Sequence, residues 1–452
     1  MKTKTLSLVL IPLLACFSGS ITLEAVSPPP DGGYPSGNTA EGDNALLSLT
    51  AGAYNTAVGW FSLQANLTGN FNTAIGAGTL LADTGDNNTA TGAGSLFNNT
   101  SGANNTAAGV FALFENTTGG SNTATGLGAL GDNTTGSNNT AHGANALLSN
   151  TTGGNNTAMG SQALQSNTTA NGNTATGFQA LLNNITGGFN TANGMTALIS
   201  NTIGFGNVAT GFQALHDNTM GNANTAIGTS ALQSNTSGGS NTAIGGGALS
   251  ANATGDSNIA IGIGALSLNT SGSENVALGE GAGMNVTTST NVICIGSDGA
   301  NVNNSCFIGN IHGVTTATND AIPVLIDSAG QLGTINSSRR YKTDIKPIEK
   351  ASESILALKP VSFHYKVHQD ARPQFGLIAE DVAQVNPDLV IYDADGKPYT
   401  VRYDAVNAML LNEFLKEHNT MQELKKEVAT LSTIVKQQAT EIEKVNANLE
   451  LK

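Results

Sequence analysis

The stretch Asn139-Thr140-Ala141-His142-Gly143-Ala144-Asn145-Ala146-Leu147-Leu148-Ser149-Asn150-Thr151-Thr152-Gly153-Gly154-Asn155 decides the fold of most of this chain, because Asn156 starts the same pattern again. Asn-Thr-Ala or a close variant opens sixteen such units, from Asn38 and Asn55 through to Asn275 and Asn291. The step is 17 residues except for two steps of 16, after Asn72 and after Asn275. A Gly closes each core, from Gly42 to Gly296, and most units go on with Ala-Leu and an Asn-Thr-Thr-Gly type turn. Periodicity this strict marks a stacked array, and no unit holds an apolar pattern of helix length. Gly and Asn at fixed offsets supply positive-φ corners. Identical residues stacked coil on coil form ladders, with Asn side chains bonding along the axis. The expected fold is therefore mainly β, a β-solenoid shaft over residues 38–296, about 75 Å long at ordinary strand spacing. One large apolar residue per coil makes a thin core. Either subunits pack on one another to supplement it, or the rod stays thin and monomeric.

Composition splits the chain. Between Lys4 and Arg339 there is no Lys or Arg, and residues 26–336 carry 14 acidic side chains, which accounts for the whole net charge of −14. The 116 residues from Ser337 hold 16 of the 18 basic residues. An acidic shaft without cations does not track a phosphate backbone, so nucleic acid is not an expected partner. Lys2, Lys4, an apolar run to Phe17 and small residues before Val26 read as a signal peptide over residues 1–25, cut after Ala25. The alternative is a lipoprotein signal with Cys16 as the lipidated residue. No later run reaches the length of a membrane span, so the expected location is exported, secreted or at the cell surface. Cys294 and Cys306, 12 residues apart, are either a disulfide across a hairpin or two small apolar residues.

After a linker over 26–37 and the repeats, the pattern decays across a β-rich connector, 297–336. Residues 337–404 read as a small α+β domain. It has a helix over 346–358, strands over 361–367 and 374–378, a short helix over 380–385, and a hairpin pairing 389–392 with 399–402. From Ala405 the chain reads as helix to residue 452. Met421, Leu424, Val428, Leu431, Val435, Gln438, Ile442, Val445 and Leu449 keep a 3-4 spacing, a parallel coiled-coil signal compatible with two or three strands.

The Asn-x-Ala-x-Gly core of the units resembles the head repeats of trimeric autotransporter adhesins, which implies a homotrimeric left-handed β-roll. The 17-residue step is longer than the usual unit of those heads, and their outer-membrane barrel segment has no counterpart in the charged helix here. The tail from Ser337 resembles the intramolecular-chaperone auto-processing domain of phage tail spikes and endosialidases. The residues that carry this are Ser337-Ser338-Arg339-Arg340-Tyr341-Lys342 with Ile345, then Phe375-Gly376-Leu377-Ile378-Ala379-Glu380-Asp381-Val382, then Tyr403. The resemblance implies a domain that trimerises, guides folding of the fibre upstream and then cuts itself off. It makes Ser337 the nucleophile, Lys342 its base, and the Asn336–Ser337 bond the cleavage site. The family often has an acidic residue where Ser338 stands.

A Ser hydroxyl can attack the preceding carbonyl through a five-membered ring if a base takes its proton, and Lys serves in Ser-Lys pairs on other folds. Arg339 and Arg340 are candidates to support the site by lowering the Lys342 pKa or steadying an oxyanion. No cofactor or metal is expected: His364 and His368 flank Lys366 in a strand, and Asp393 and Asp395 read as turn residues. Two other readings compete with the self-cutting fibre. One is a monomeric ice- or carbohydrate-binding solenoid displaying Thr and Asn columns; the other keeps the tail uncut as a trimerisation clamp. In either fibre reading the shaft's surface ligand or glycan is unidentified.

Overall fold

The computed structural model describes residues 34–318, 320–327, 329–366 and 372–449. The expected signal peptide, its Cys16 alternative, and His368 lie outside the described residues. The chain divides into two compact units, Met1–Thr315 and Thr316–Lys452.

The first unit is a parallel β-solenoid. Each coil contributes one three-residue strand, from β1 (Thr39–Glu41) and β2 (Thr56–Val58) to β15 (Val276–Leu278), followed by β16 (Val292–Ile295) and β17 (Ser305–Ile308). Neighbouring strands pair in parallel and in register, Thr140 beside Thr157 and Ala141 beside Ala158 for example. Strand alternation turns the middle Ala inward, where it is fully buried, and the residues on either side of it outward.

The largest interior residue sits where the sequence did not place a corner. From Leu46 to Leu266 the Leu column has φ between 50° and 54°, the left-handed region, and nearly all of these side chains are fully buried. That conformation costs a non-Gly residue about 1–2 kcal/mol, while burying the side chain contributes about 1.5–3 kcal/mol. Gly would relax the corner and empty the core. Gly143 shows the opposite constraint: at φ 133° a Cβ would lie 2.6 Å from the Gly160 carbonyl of the next coil. There only Gly fits.

Two buried Asn ladders fill the rest of the interior. In the first, Asn139 Oδ1 accepts the Asn156 backbone N–H at 3.0 Å, and Asn139 Nδ2 donates to the Gly153 carbonyl at 2.8 Å. In the second, Asn133 Nδ2 donates to Asn116 Oδ1 at 2.7 Å and to the Gly136 carbonyl at 3.0 Å. Buried amides with their bonds made cost little, and left unmade they cost dearly. So the interior that looked thin by counting apolar residues is completed within one chain.

One rung of the second ladder is a carboxyl. Asp83 Oδ1 accepts from Asn99 Nδ2 at 2.5 Å, from the Gly85 N–H at 3.1 Å and from Asn88 Nδ2 at 3.3 Å. Its Oδ2 is buried with no partner. Burial, only partly offset by those bonds and reinforced by nearby Asp86, pushes the Asp83 carboxyl up to about 7.

Register corrects the repeat step at one place. The 16-residue step after Asn72 is real, since Thr73 pairs with Thr89. The second is not. Val276 pairs with Ile293, and Val292 takes the ladder position, its N–H bonded to Asn275 Oδ1 at 2.9 Å. Asn291 is displaced to the surface, where its Nδ2 donates to Asn304 Oδ1. The sheet also runs past residue 296 into the expected connector, ending with β17. There Cys306 opposes Ile293 while Cys294 opposes Phe307. Cys294 is buried and Cys306 exposed, so the two thiols point to opposite faces and no disulfide joins them.

Among its described residues the second unit holds three small antiparallel pairs: β18 (Leu325–Ile326) with β19 (Leu332–Gly333), β20 (Val361–Phe363) with β21 (Gln374–Gly376), and β22 (Val390–Tyr392) with β23 (Pro398–Val401). The segment expected as a helix over 346–358 is a 3-10 helix, Glu349–Ala357. Ser354 bonds back to the Ala351 carbonyl and Ser352 is drawn to Glu413, both competing with regular helical bonding. Helix α1 (Ala379–Val385) and the hairpin β22–β23 close a small core of Val382, Leu389, Val390 and Val401 against the start of helix α2 (Tyr403–Leu449). Helix α2 has 47 residues, about 70 Å at 1.5 Å per residue. Its stripe Leu424, Val428, Leu431, Val435, Ile442 and Val445 is 49–63% exposed.

Candidate functional site

Asn336 and Ser337 lie outside any helix or strand, and both are exposed. Ser338 then caps a one-turn 3-10 helix, Arg339–Tyr341: its Oγ accepts from the Arg340 backbone N–H and from Arg340 Nε, each at 3.4 Å. Tyr341 N–H closes the turn on the Ser338 carbonyl at 3.0 Å, and Lys342 N–H bonds the Arg339 carbonyl at 3.2 Å. The Arg340 guanidinium lies 5.4 Å from the centre of the Tyr341 ring, a cation–π distance. Lys342 leaves the turn in an extended conformation, exposed. The turn thus joins Ser338, Arg340 and Tyr341. Among the described residues no hydrogen bond joins Ser337 to Lys342, and the turn lies between them in sequence.

The second motif does come together. β21 runs through Gly376 and Leu377 into α1, and the Leu377 N–H donates to the Tyr403 hydroxyl at 3.0 Å. A Cβ on Gly376 would stand 2.9 Å from that hydroxyl oxygen and 3.4 Å from the Phe363 ring. Gly376 is therefore fixed by the close approach of the first residue of α2. Glu380 and Asp381 occupy the first turn of α1, where the helix dipole favours acidic side chains.

A polar cluster that sequence reasoning missed ties the 3-10 segment to α2. Glu413 Oε1 accepts from Ser352 Oγ at 2.5 Å and from Lys416 Nζ at 2.7 Å; Asn412 Nδ2 donates to Ser352 Oγ at 2.7 Å. Glu353 lies 3.6 Å from the same ammonium. The bonds from Lys416 and Ser352 hold the Glu413 carboxyl below its ordinary value, and Glu413 holds the Lys416 ammonium above its own. A Lys kept protonated cannot take a proton from Ser352, 3.5 Å away. The cluster is a strut, not a second Ser-Lys pair. The helical i, i+3 spacing of Glu413 and Lys416 was visible in the sequence; their partner, 61 residues earlier, was not.

Asp393 makes a turn, its Oδ1 accepting from Asp395 N–H at 3.0 Å and Lys397 N–H at 2.9 Å. Among the described residues no three His, Cys, Asp or Glu side chains are placed to hold a metal, and no helix is long and apolar enough to cross a membrane. No curated protein and no solved structure matches this chain. Residues 337–391 match a peptidase family described as chaperone of endosialidase, a match that opens at Ser337 and takes in β20, β21, α1 and the start of β22. At family level this implies a self-cleaving serine peptidase, and with its β-solenoid the chain fits a fibre-like protein that carries a chaperone-of-endosialidase domain.

Proposed function

We propose that the chain is an exported homotrimeric fibre whose C-terminal domain directs trimerisation and then releases itself by cutting between Asn336 and Ser337. The observation that carries this reading is the family match, which opens at Ser337 on the seam where the cation-free shaft gives way to the basic tail. The uncovered heptad stripe of α2 supports self-association, because apolar side chains at 3-4 spacing are buried when parallel helices wrap on one another.

In the proposed chemistry Ser337 Oγ attacks the Asn336 carbonyl carbon while Lys342 Nζ takes the hydroxyl proton. The C–N bond breaks, the proton passes to the departing Ser337 nitrogen, and an ester links Asn336 to Ser337 Oγ. Water then hydrolyses the ester, leaving an Asn336 carboxylate and a free Ser337 amine and hydroxyl. In the single chain Ser337 and Lys342 are exposed and no hydrogen bond joins them. Cleavage therefore follows assembly, when neighbouring chains crowd the turn and bring a base to the hydroxyl.

Intact mass tests this on residues 26–452 beside a Ser337→Ala version. Two masses meeting at Asn336–Ser337, with the variant whole, are expected. A native trimer that stays whole would leave the tail as a permanent clamp.

A further inference from the structure

The outward residues of the solenoid strands change character along the rod. In β7 (Thr140–His142) and β10 (Thr191–Asn193) they are polar. In β14 (Ile259–Ile261), β15 and β16 they become Ile259 and Ile261, Val276 and Leu278, Ile293 and Ile295. The in-register pairing stacks these into two continuous apolar columns that end at Cys306 and Ile308 of β17. Each of the Ile and Leu side chains is 37–47% exposed, and no outward position from β11 (Val208–Thr210) to β17 carries a charge.

We propose that this sheet face of the last coils packs against a second copy of the same chain, forming the shaft's own part of the subunit interface. The inference rests on the homotrimer reading and names the surface through which the shaft takes part in it. Seven uncharged strands at ordinary spacing make a strip about 30 Å long and on the order of 400 Å², and over its last four strands, β14 to β17, both outward columns are apolar. That area is about half of the ~800 Å² a side that stable interfaces bury, and the exposed stripe of α2 offers further apolar surface to the same assembly. The occupant is a copy of this chain for a charge reason. Residues 26–336 carry no cation, so two shafts cannot pair through ion pairs and can meet only through uncharged surface, which this apolar face supplies. The apolar end is also the end that leads, in sequence, into the residues that match the chaperone family.

Cys306 reports on this face directly, since it stands on it while Cys294 is buried within the coil. The experiment measures molar mass and the rate of iodoacetamide labelling at Cys306 on the uncut Ser337→Ala chain, residues 26–452. Trimeric mass with labelling at least about tenfold slower than in the unfolded chain is expected. Trimeric mass with prompt labelling of Cys306 overturns the proposed face while leaving the trimer intact. Monomeric mass overturns the homotrimer reading, and the face with it. An Ile295→Lys variant, outward and harmless to the coil interior, is expected to keep the trimeric mass and speed Cys306 labelling. Labelling that stays slow in that variant would contradict the proposal, because something other than this face would then be shielding the thiol.

Discussion

In a mid-shaft coil such as 139–155 the interior is closed by its own residues and those of the coils on either side. Ala141, Ala146 and Leu147 are fully buried, and Asn139 and Asn150 stitch neighbouring coils through buried bonds. The C-terminal two-thirds of α2 is built the other way. From Met421 to Leu449 its apolar side chains lie open, with only the first turns docked on the small core. A mid-shaft coil needs no partner for its interior, while α2 leaves its stripe open. A coil stacks on its own successor and gains stability rung by rung, whereas an isolated heptad helix has nothing of its own to bury.

The largest expected effect breaks this contrast at the tail. Replacing Leu431 and Val435 together with Asp should abolish the trimer, read as a fall in molar mass, and with it cleavage at Asn336–Ser337. The matching lesion in the shaft, Leu147→Ala, should cost about 2–5 kcal/mol locally and leave the trimeric mass unchanged. A shaft lesion that dissolved the trimer would show that assembly resides in the rod.

Carboxyl titrations sharpen the comparison because the two regions carry opposite signs. Asp83 has a folded value raised to about 7, so the folded state holds its proton between the ordinary carboxylate range and that point. Shaft stability therefore falls as pH rises across that window, by up to about 4 kcal/mol at 1.36 kcal/mol per unit. Asp83→Asn should remove the pH dependence and raise the shaft's melting temperature at pH 8. Glu413 has its value lowered by Lys416 and Ser352. Its contribution is present above the ordinary glutamate value and is lost as pH falls through the lower folded one. Glu413→Gln should loosen the 3-10 segment from α2 and flatten the acid limb of the tail's unfolding, followed by thermal melts across pH.

The smallest effect lies within the shaft. Gly143→Ala forces a Cβ onto the Gly160 carbonyl, but Gly247, at φ 67°, has nothing within 4 Å of an added Cβ. Gly247→Ala should cost only the left-handed penalty of about 1–2 kcal/mol, and Gly143→Ala clearly more. Equal losses in chemical denaturation would remove the argument that close coil approach fixes the first Gly.

The shaft's architecture was legible because seventeen-residue periodicity needs no tertiary information. The Leu corners were not, since local propensity disfavours a left-handed Leu and only core burial explains it. The last unit was misread by letter: Asn291 matches the pattern, yet the ladder bond goes to Val292. In the tail, Gly376 and Tyr403 were singled out by resemblance, and the structure supplies their reason in the bond from Leu377. The Ser352–Glu413 strut joins residues too far apart in sequence for spacing to reveal. Ser337 and Lys342 were named by resemblance as a candidate cutting pair, and in the single chain both are exposed with no hydrogen bond between them.

The most direct test is the molar mass of the uncut Ser337→Ala chain, residues 26–452, measured by sedimentation equilibrium. Three chains per particle are expected. A single chain per particle would contradict the homotrimer reading, leaving a solenoid that completes its own core and a helix whose stripe is buried by something other than its own kind.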